Sequence, residues 1–196
     1  MKASQEAGLA DERRDALAQA RGEVLEIGAG TGLNIPAYPR TGITRLVLTE
    51  PHEAMRRQIE AKLGDAPAPV EVLDAGAEDL PFADATFDTV TATLVMCEAG
   101  DPARAMDEIA RVLKPGGHYL FLEHVRSEDP KLARSQDRWE PIWKRVAGGC
   151  NCSRDTLATI AASGLDVETH RIGRFPKSPK VVSPLLSGSA VRGDVL

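Results

Sequence analysis

Two acids, three glycines, a histidine and three cysteines carry most of the chemical content of this sequence. Glu26 stands inside a short apolar run, Val24-Leu25-Glu26-Ile27, and Gly28, Gly30 and Gly32 follow at alternate positions. A run of this length and composition reads as a buried parallel strand. Glycine accepts backbone angles closed to other residues, and its missing Cβ lets a ligand lie against the main chain. A glycine-rich loop leaving a strand therefore reads as a nucleotide site, with amides and a helix N-terminus facing the ligand. The spacing is G-x-G-x-G, not the G-x-G-x-x-G usual for dinucleotides. A tight turn that binds nothing would need fewer glycines. Glu50 ends a second strand, Arg45-Leu46-Val47-Leu48-Thr49-Glu50, about twenty residues beyond the glycines. A carboxylate there accepts two hydrogen bonds side by side, which suits a pair of ribose hydroxyls.

The acid followed by G-x-G-x-G resembles motif I of the class I S-adenosylmethionine-dependent methyltransferases. The resemblance implies that Gly28, Ala29, Gly30, Gly32 and Asn34 cradle the methionine part of S-adenosylmethionine, and that Glu26 helps hold its amino end. Two more segments are similar to the same family: Glu78-Asp79-Leu80-Pro81-Phe82 with Thr86-Phe87-Asp88, and Arg111-Val112-Leu113-Lys114-Pro115-Gly116-Gly117. The first implies the adenine wall. Gly76 stands where many relatives place an Asp for the adenine amino group, so Glu78, Asp74 or the amides of Ala77 and Glu78 take that contact. Asp88 is expected to hold the turn into the next strand. Pro51, Met55, Thr93 and Leu94 complete the implied cofactor set, although a Met at helical spacing is equally readable as core.

The elements that must position these groups follow in order. A helix is expected over residues 4–20, a helix broken early by Asn34–Pro39, and another from Pro51 to Leu63 with Met55 and Ile59 inward. Strands follow at Val70–Leu73, Asp88–Cys97 and Tyr119–Leu122. Asp101-Pro102 opens a helix with Ala105, Met106, Ile109 and Leu113 on its buried stripe. Residues 130–146 and a segment capped by Ser153 and ending at Ser163 read as acceptor-side helices within 125–163. Strands near 165–172 and 184–192 complete the picture. The expected architecture is one α/β domain over 1–196, a Rossmann-like seven-stranded sheet in order 3-2-1-4-5-7-6 with strand 7 antiparallel and helices on both faces.

Composition excludes several classes. There are 24 basic and 29 acidic side chains, net −5, and no segment concentrates positive charge, so no nucleic-acid backbone partner is expected. No apolar run approaches the roughly 18–20 residues of a membrane span, and Met1–Glu6 lacks a signal-peptide core. Cys97, Cys150 and Cys152 cannot all pair with one another, which leaves free thiols and a cytoplasmic protein as the expectation. Oligomeric state is not legible.

The second half bears on the methyl acceptor. Thr93–Cys97, Glu123-His124-Val125, the helix carrying Trp139 and Trp143, and Gly149–Thr156 resemble the methyltransferase-like alkyl-thiol methyltransferases. That branch carries an N-terminal membrane anchor and an extra helix, so any lid built there is expected to be absent or reduced here. The resemblance implies a small-molecule thiol acceptor, with Cys97, Glu123, Trp139, Trp143 and Cys150 near it. His124 is the candidate base, since imidazole takes a proton near neutral pH, or else a hydrogen-bonded residue at a strand end. The tryptophans read as acceptor wall or core, and the cysteines as loop packing or pocket lining. No metal is expected, because Cys150-x-Cys152 with a distant Cys97 offers too few neighbouring ligands. Methylation of a phospholipid head group or quinone is the second enzymatic reading, and a cofactor-binding protein without turnover is the non-enzymatic one.

Overall fold

A computed structural model describes residues 8–146 and 149–193. Its strands are β1 Gly22–Ile27, β2 Ile43–Thr49, β3 Val70–Leu73, β4 Phe87–Thr93, β5 Leu113–His124, β6 Leu165–Arg174 and β7 Pro184–Arg192. They form one seven-stranded sheet in order 3-2-1-4-5-7-6, as expected. The β1–β2, β2–β3, β1–β4 and β4–β5 pairs are parallel, and β7 runs antiparallel to β5 and β6.

The helices are α1 Ala10–Leu17, α2 Glu53–Glu60, α3 Pro102–Val112, α4 Pro130–Val146 and α5 Thr156–Ala162. Alternation along β1 splits the core. Leu25 and Ile27 join Ala105, Met106, Ile109 and Ile160 on one face, whereas Val24 joins Leu17, Ile35 and Ile59 on the other. Asp101 starts α3, its Oδ1 accepting from the Arg104 amide at 3.1 Å, with Pro102 at the first helical position.

Several local expectations need correction. The first helix spans Ala10–Leu17, and the expected positions 4–7 lie outside the described residues. After the glycine loop there is only a 3-10 turn, Ile35–Ala37, in place of an interrupted helix. Pro36 lacks an amide donor, and Pro39 holds Tyr38 extended at ψ 147. The next helix shortens to Glu53–Glu60. Ile59 is buried there, but Met55 faces outward at 39 % exposure. The Lys114–Gly117 turn runs along β4, so β5 begins at Leu113. Asp155 caps α5, its Oδ1 accepting from the Ala158 amide at 3.0 Å, while the Ser153 hydroxyl donates to Glu140 instead. Asp88, expected to hold a turn, lies inside β4 and links it to its neighbours, accepting from the Glu23 amide of β1 at 2.8 Å and from Lys114 of β5 at 3.0 Å.

Gly188 in β7 is where backbones approach most closely. A Cβ there would lie 2.2 Å from the Thr169 carbonyl oxygen and 2.8 Å from Phe121 Cζ. Gly188→Ala is expected to destabilise the fold by about 1–3 kcal/mol, read as a lower thermal midpoint in a calorimetric scan. An unchanged midpoint would show that β6 and β7 can separate there freely.

Candidate active site

The parallel strands β1 and β4 end side by side, and the site lies beyond those ends, as in other open α/β sheets. Gly28, Gly30 and Gly32 all take positive φ, at 60°, 58° and 72°. They do so for different reasons. A Cβ on Gly28 would come within 2.8 Å of Val95 Cγ2, and one on Gly32 within 3.0 Å of Ile35 Cδ1. At Gly30 the nearest atom would be 4.0 Å away, so this glycine alone turns its bare face to open space. Ala29 is tied to β2 by its amide, which donates to the Thr49 carbonyl at 2.9 Å.

Glu50 lies under that open face. It is 4 % exposed, and its carboxylate accepts from the Gly30 amide at 2.8 Å and the His52 amide at 2.9 Å. Arg56 donates to the Glu50 carbonyl and to Asp74, the latter at 2.9 Å. Glu78 is likewise occupied, its Oε1 accepting from Gly100 and Asp101 amides at 2.9 and 3.3 Å. Ala77 is buried beside it. Pro51 is exposed at the rim next to Glu50.

Glu26 is 2 % exposed and faces away from solvent into a polar network under α1. Its two oxygens accept from Asn34 Nδ2 at 2.9 Å and Tyr38 Oη at 2.8 Å. Arg13 on α1 donates to Asn34 Oδ1 and Thr93 Oγ1, both at 2.6 Å, and Tyr38 Oη also meets Thr91 Oγ1 at 2.7 Å. Burial raises the Glu26 carboxyl to about 7, against the hydrogen bond from Tyr38 and the charge of Arg13. Arg13 and Tyr38 are the functional residues that sequence reasoning missed. A signal existed: Arg13 sits four residues from both Leu9 and Leu17, inside the buried stripe of its helix.

After Thr93 the chain turns sharply at Leu94, whose φ is 62°. Glu123 holds the turn that follows. It is fully buried, and it accepts from the Val95 and Met96 amides at 2.9 and 3.1 Å and the Cys97 amide at 3.4 Å. Burial raises Glu123 to about 7 although those amides pull the other way. Its expected contact with the acceptor is therefore corrected: the carboxylate orders the 95–97 turn. Arg154 clamps the same turn by donating to the Met96 and Ala99 carbonyls.

His124 follows on β5 and is 9 % exposed. Its Nδ1 lies 3.4 Å from Cys150 Sγ and 4.0 Å from Cys97 Sγ. The ring packs on Phe175 at 4.8 Å between centroids, and Nε2 is buried. With Nδ1 turned to the sulfurs and Nε2 without a partner, the arrangement agrees with the hydrogen-bonded reading of this residue. Cys97 and Cys150 are buried with Cys152, and Cys150 and Cys152 sulfurs lie 3.6 Å apart. Thiol donation from Cys152 and Cys97, then His124, favours the Cys150 thiolate, whereas the Cys97 thiol is pushed up by that same pairing and by burial. Trp143 packs against this cluster, and Trp139, 50 % exposed, lines with Trp143, Gln136 and Cys152 a small cleft beside it. A cleft of about 360 Å³ between α1 and the β6–β7 hairpin, lined by Glu12, Gln19 and Arg171 among others, touches none of the glycine loop.

Residues 25–121 match the family described as a methyltransferase domain. The human thiol S-methyltransferase TMT1B is 32 % identical over 176 residues, 86 % of this chain and 70 % of that protein. The chain belongs to the S-adenosylmethionine-dependent methyltransferases. The match to rat TMT1B, 31 % identical, spans 70 % of this chain and 57 % of the rat protein. Phosphatidylethanolamine N-methyltransferase of Cereibacter sphaeroides is 35 % identical over 113 residues, 57 % of this chain and 55 % of its own length. Among solved structures, the BH2331 protein of Bacillus halodurans superposes with a TM-score of 0.75 at 17 % identity, covering 94 % of this chain and 99 % of that one. That likeness concerns the fold. No helix among the described residues is long and apolar enough to cross a membrane. The residues around Gly30 fit the methyltransferase cofactor: the backbone face is bare, and a buried carboxylate stands directly behind it.

In this methyltransferase the raised carboxyl of Glu26 has a thermodynamic consequence. A folded-state pKa near 7 lies above the ordinary carboxylate value of 4.5, so the native state holds a proton that the unfolded chain releases. That contribution is complete below about pH 4.5 and is lost as pH rises through 7. Stability should fall across this window, with Glu26 responsible for on the order of 3 kcal/mol. Glu26→Gln should reduce the slope measured by urea unfolding at successive pH values, the share due to Glu123, also raised to about 7, remaining. An unaltered slope would place the buried proton elsewhere.

Proposed function

We propose that this chain transfers the methyl group of S-adenosylmethionine to a small-molecule thiol. The observation that carries this reading is the extent of the likeness to human TMT1B. An alignment over 86 % of the chain necessarily includes everything from Gly28 to Asp155, cofactor loop and acceptor side together. The 113 residues shared with the phosphatidylethanolamine enzyme are shorter than that stretch. They nevertheless favour a second reading, methylation of a phospholipid head group or quinone.

When bound, S-adenosylmethionine supplies a methyl group made electrophilic by a positively charged sulfur. The chain's own part is placement. In this reading Gly28, Ala29, Gly30 and Gly32 offer backbone to the methionine portion, and Glu50 takes the ribose hydroxyls. Glu26 and Arg13 act through Asn34, fixing the loop behind it. Thr93 and Leu94 lie at the carboxyl end of β4, next to where the acceptor must approach. Holding the acceptor sulfur in line and close supplies much of the rate, as effective molarities of well-oriented groups are large. An ordinary thiol titrates near pH 8.5, so an acceptor of this class ionises without a dedicated base. That agrees with a His124 turned toward the cysteines.

The test is methyl transfer from isotopically labelled S-adenosylmethionine to a panel of thiols, amines, phenols, phospholipids and quinones, read by mass spectrometry. Transfer confined to thiols is expected. Glu50→Ala should raise KM for S-adenosylmethionine about ten- to hundredfold, the loss of charge-assisted hydrogen bonds, while retaining native circular dichroism. Transfer to lipid or quinone alone would replace the thiol reading with the second one.

A further inference from the structure

Cys97, His124 and Cys150 come from three separate parts of the chain, the turn after β4, the end of β5 and the segment before α5. Their sulfur and nitrogen atoms all lie within 4.8 Å of one another, and among the described residues they form a metal-ligand group by type and distance. Cys152 lies beside the group, its sulfur 3.6 Å from that of Cys150. All three cysteines are free thiols.

The distances decide what such a group can be. A zinc ion bonds sulfur at about 2.3 Å and nitrogen at about 2.0–2.1 Å in a tetrahedron. The edges of that tetrahedron are ~3.8 Å between sulfurs and ~3.6 Å between sulfur and nitrogen. The structure has 3.6 Å for Cys150–Cys152, 3.4 Å for Cys150–His124 and 4.0 Å for Cys97–His124. Each of these is within a few tenths of an ångström of the edge it would form. A bonded disulfide would instead need about 2.05 Å between sulfurs.

The surroundings favour a cation as well. The ligands are 1–9 % exposed and lie among Leu94, Val181 and Val182, where separate polar groups without partners are disfavoured. His124 turns Nδ1 to the sulfurs, and no other described side chain bonds the ring, Nε2 being buried without a partner. The backbone around the group is already fixed. The Asn151 amide donates to the Cys97 carbonyl at 2.7 Å, and Gln136 Nε2 donates to the Cys152 carbonyl at 2.9 Å. Ligands prepared in this way lose little entropy on binding.

We propose that Cys97, His124 and Cys150 bind one soft divalent cation of the zinc type, its fourth position left to water or to a shift of Cys152, closing a clip that ties the 94–97 turn to β5 and to the 149–155 segment. Each ligating thiol gives up its proton to solvent as its sulfur–metal bond forms, and no electron is transferred. With its three protein ligands drawn from separate segments and buried, the bound ion would be structural, linking those segments. The clip is independent of which acceptor receives the methyl group.

The experiment uses the full chain, reduced and stripped of metal with a chelator, then titrated with Co2+ alone. The expected result is saturation at one equivalent, with thiolate-to-cobalt charge-transfer absorption in the near ultraviolet and visible bands of tetrahedral cobalt. Zinc should displace the cobalt and raise the thermal midpoint of the stripped protein by several degrees. Cys97→Ser and Cys150→Ser should each weaken cobalt binding at least tenfold. Should a variant fail to fold, the wild-type stoichiometry and spectrum still decide. Absence of charge-transfer bands in a protein whose three thiols are shown reduced by titration would overturn the proposal. So would bands that persist in a folded Cys97→Ser/Cys150→Ser double variant, or a Cys150–Cys152 disulfide in the protein as first isolated under reducing conditions.

Discussion

The burial of Glu26 is the constraint on which the cofactor end of this protein depends. A carboxylate enclosed under a helix is costly unless every lone pair is used and a positive charge stands near. Here Asn34 and Tyr38 each donate to one Glu26 oxygen, and Arg13 brings the charge through Asn34 and Thr93, which still leaves the carboxyl raised to about 7. The result fixes α1, the residues after the glycine loop and the end of β4 relative to one another. Removing one member would strand the others, because a partly satisfied buried network is worse than an apolar one. The glycine loop can therefore leave one face bare at Gly30 without losing its shape.

A second buried carboxylate does the corresponding work on the other face of the sheet. Alternation along β5 sends Glu123 to the side opposite His124. There it collects the amides of Val95, Met96 and Cys97, groups that a positive-φ turn at Leu94 leaves without strand partners. Arg154 meets the carbonyls of the same turn. Donors and acceptors of one short segment are thus both satisfied from outside it, which is what an irregular buried segment requires. The turn is thereby held in place at the carboxyl end of β4.

Much of this was legible in the sequence, and the exceptions have physical causes. Strand order, the glycine loop and the α3 cap follow from periodicity, glycine placement and Asp101-Pro102, signals that are local. The polar network was written as the alternation Thr89, Thr91, Thr93 on one face of β4, yet a strand with Val90 and Ala92 between them reads equally as buried throughout. Arg13 required knowing that α1 crosses over Glu26. The outward turn of Met55 and Trp139 is of the same kind: helical spacing fixes which residues share a face, but not which face the fold covers. The meeting of Cys97 with His124 and Cys150 was invisible for a stronger reason, since it joins three segments only after the sheet is built.

The same distinction explains why the acceptor is harder to read than the cofactor. Cofactor groups lie on consecutive strand ends, β1, β2 and β4, whose relative position the sheet dictates. Acceptor-side groups lie on α4 and the segment before α5, held by side-chain links such as Gln136 to the Val125 and Cys152 carbonyls and Glu140 to Asn151 and Ser153. A fold shared by many activities leaves those links free to vary. Trp143 packs against the cysteine cluster and Leu94, and Trp139, one turn earlier, is half exposed. The side of α4 that encloses apolar surface is thus the one facing the cysteine cluster, whereas the face bearing Trp139 and Ile142 stays exposed.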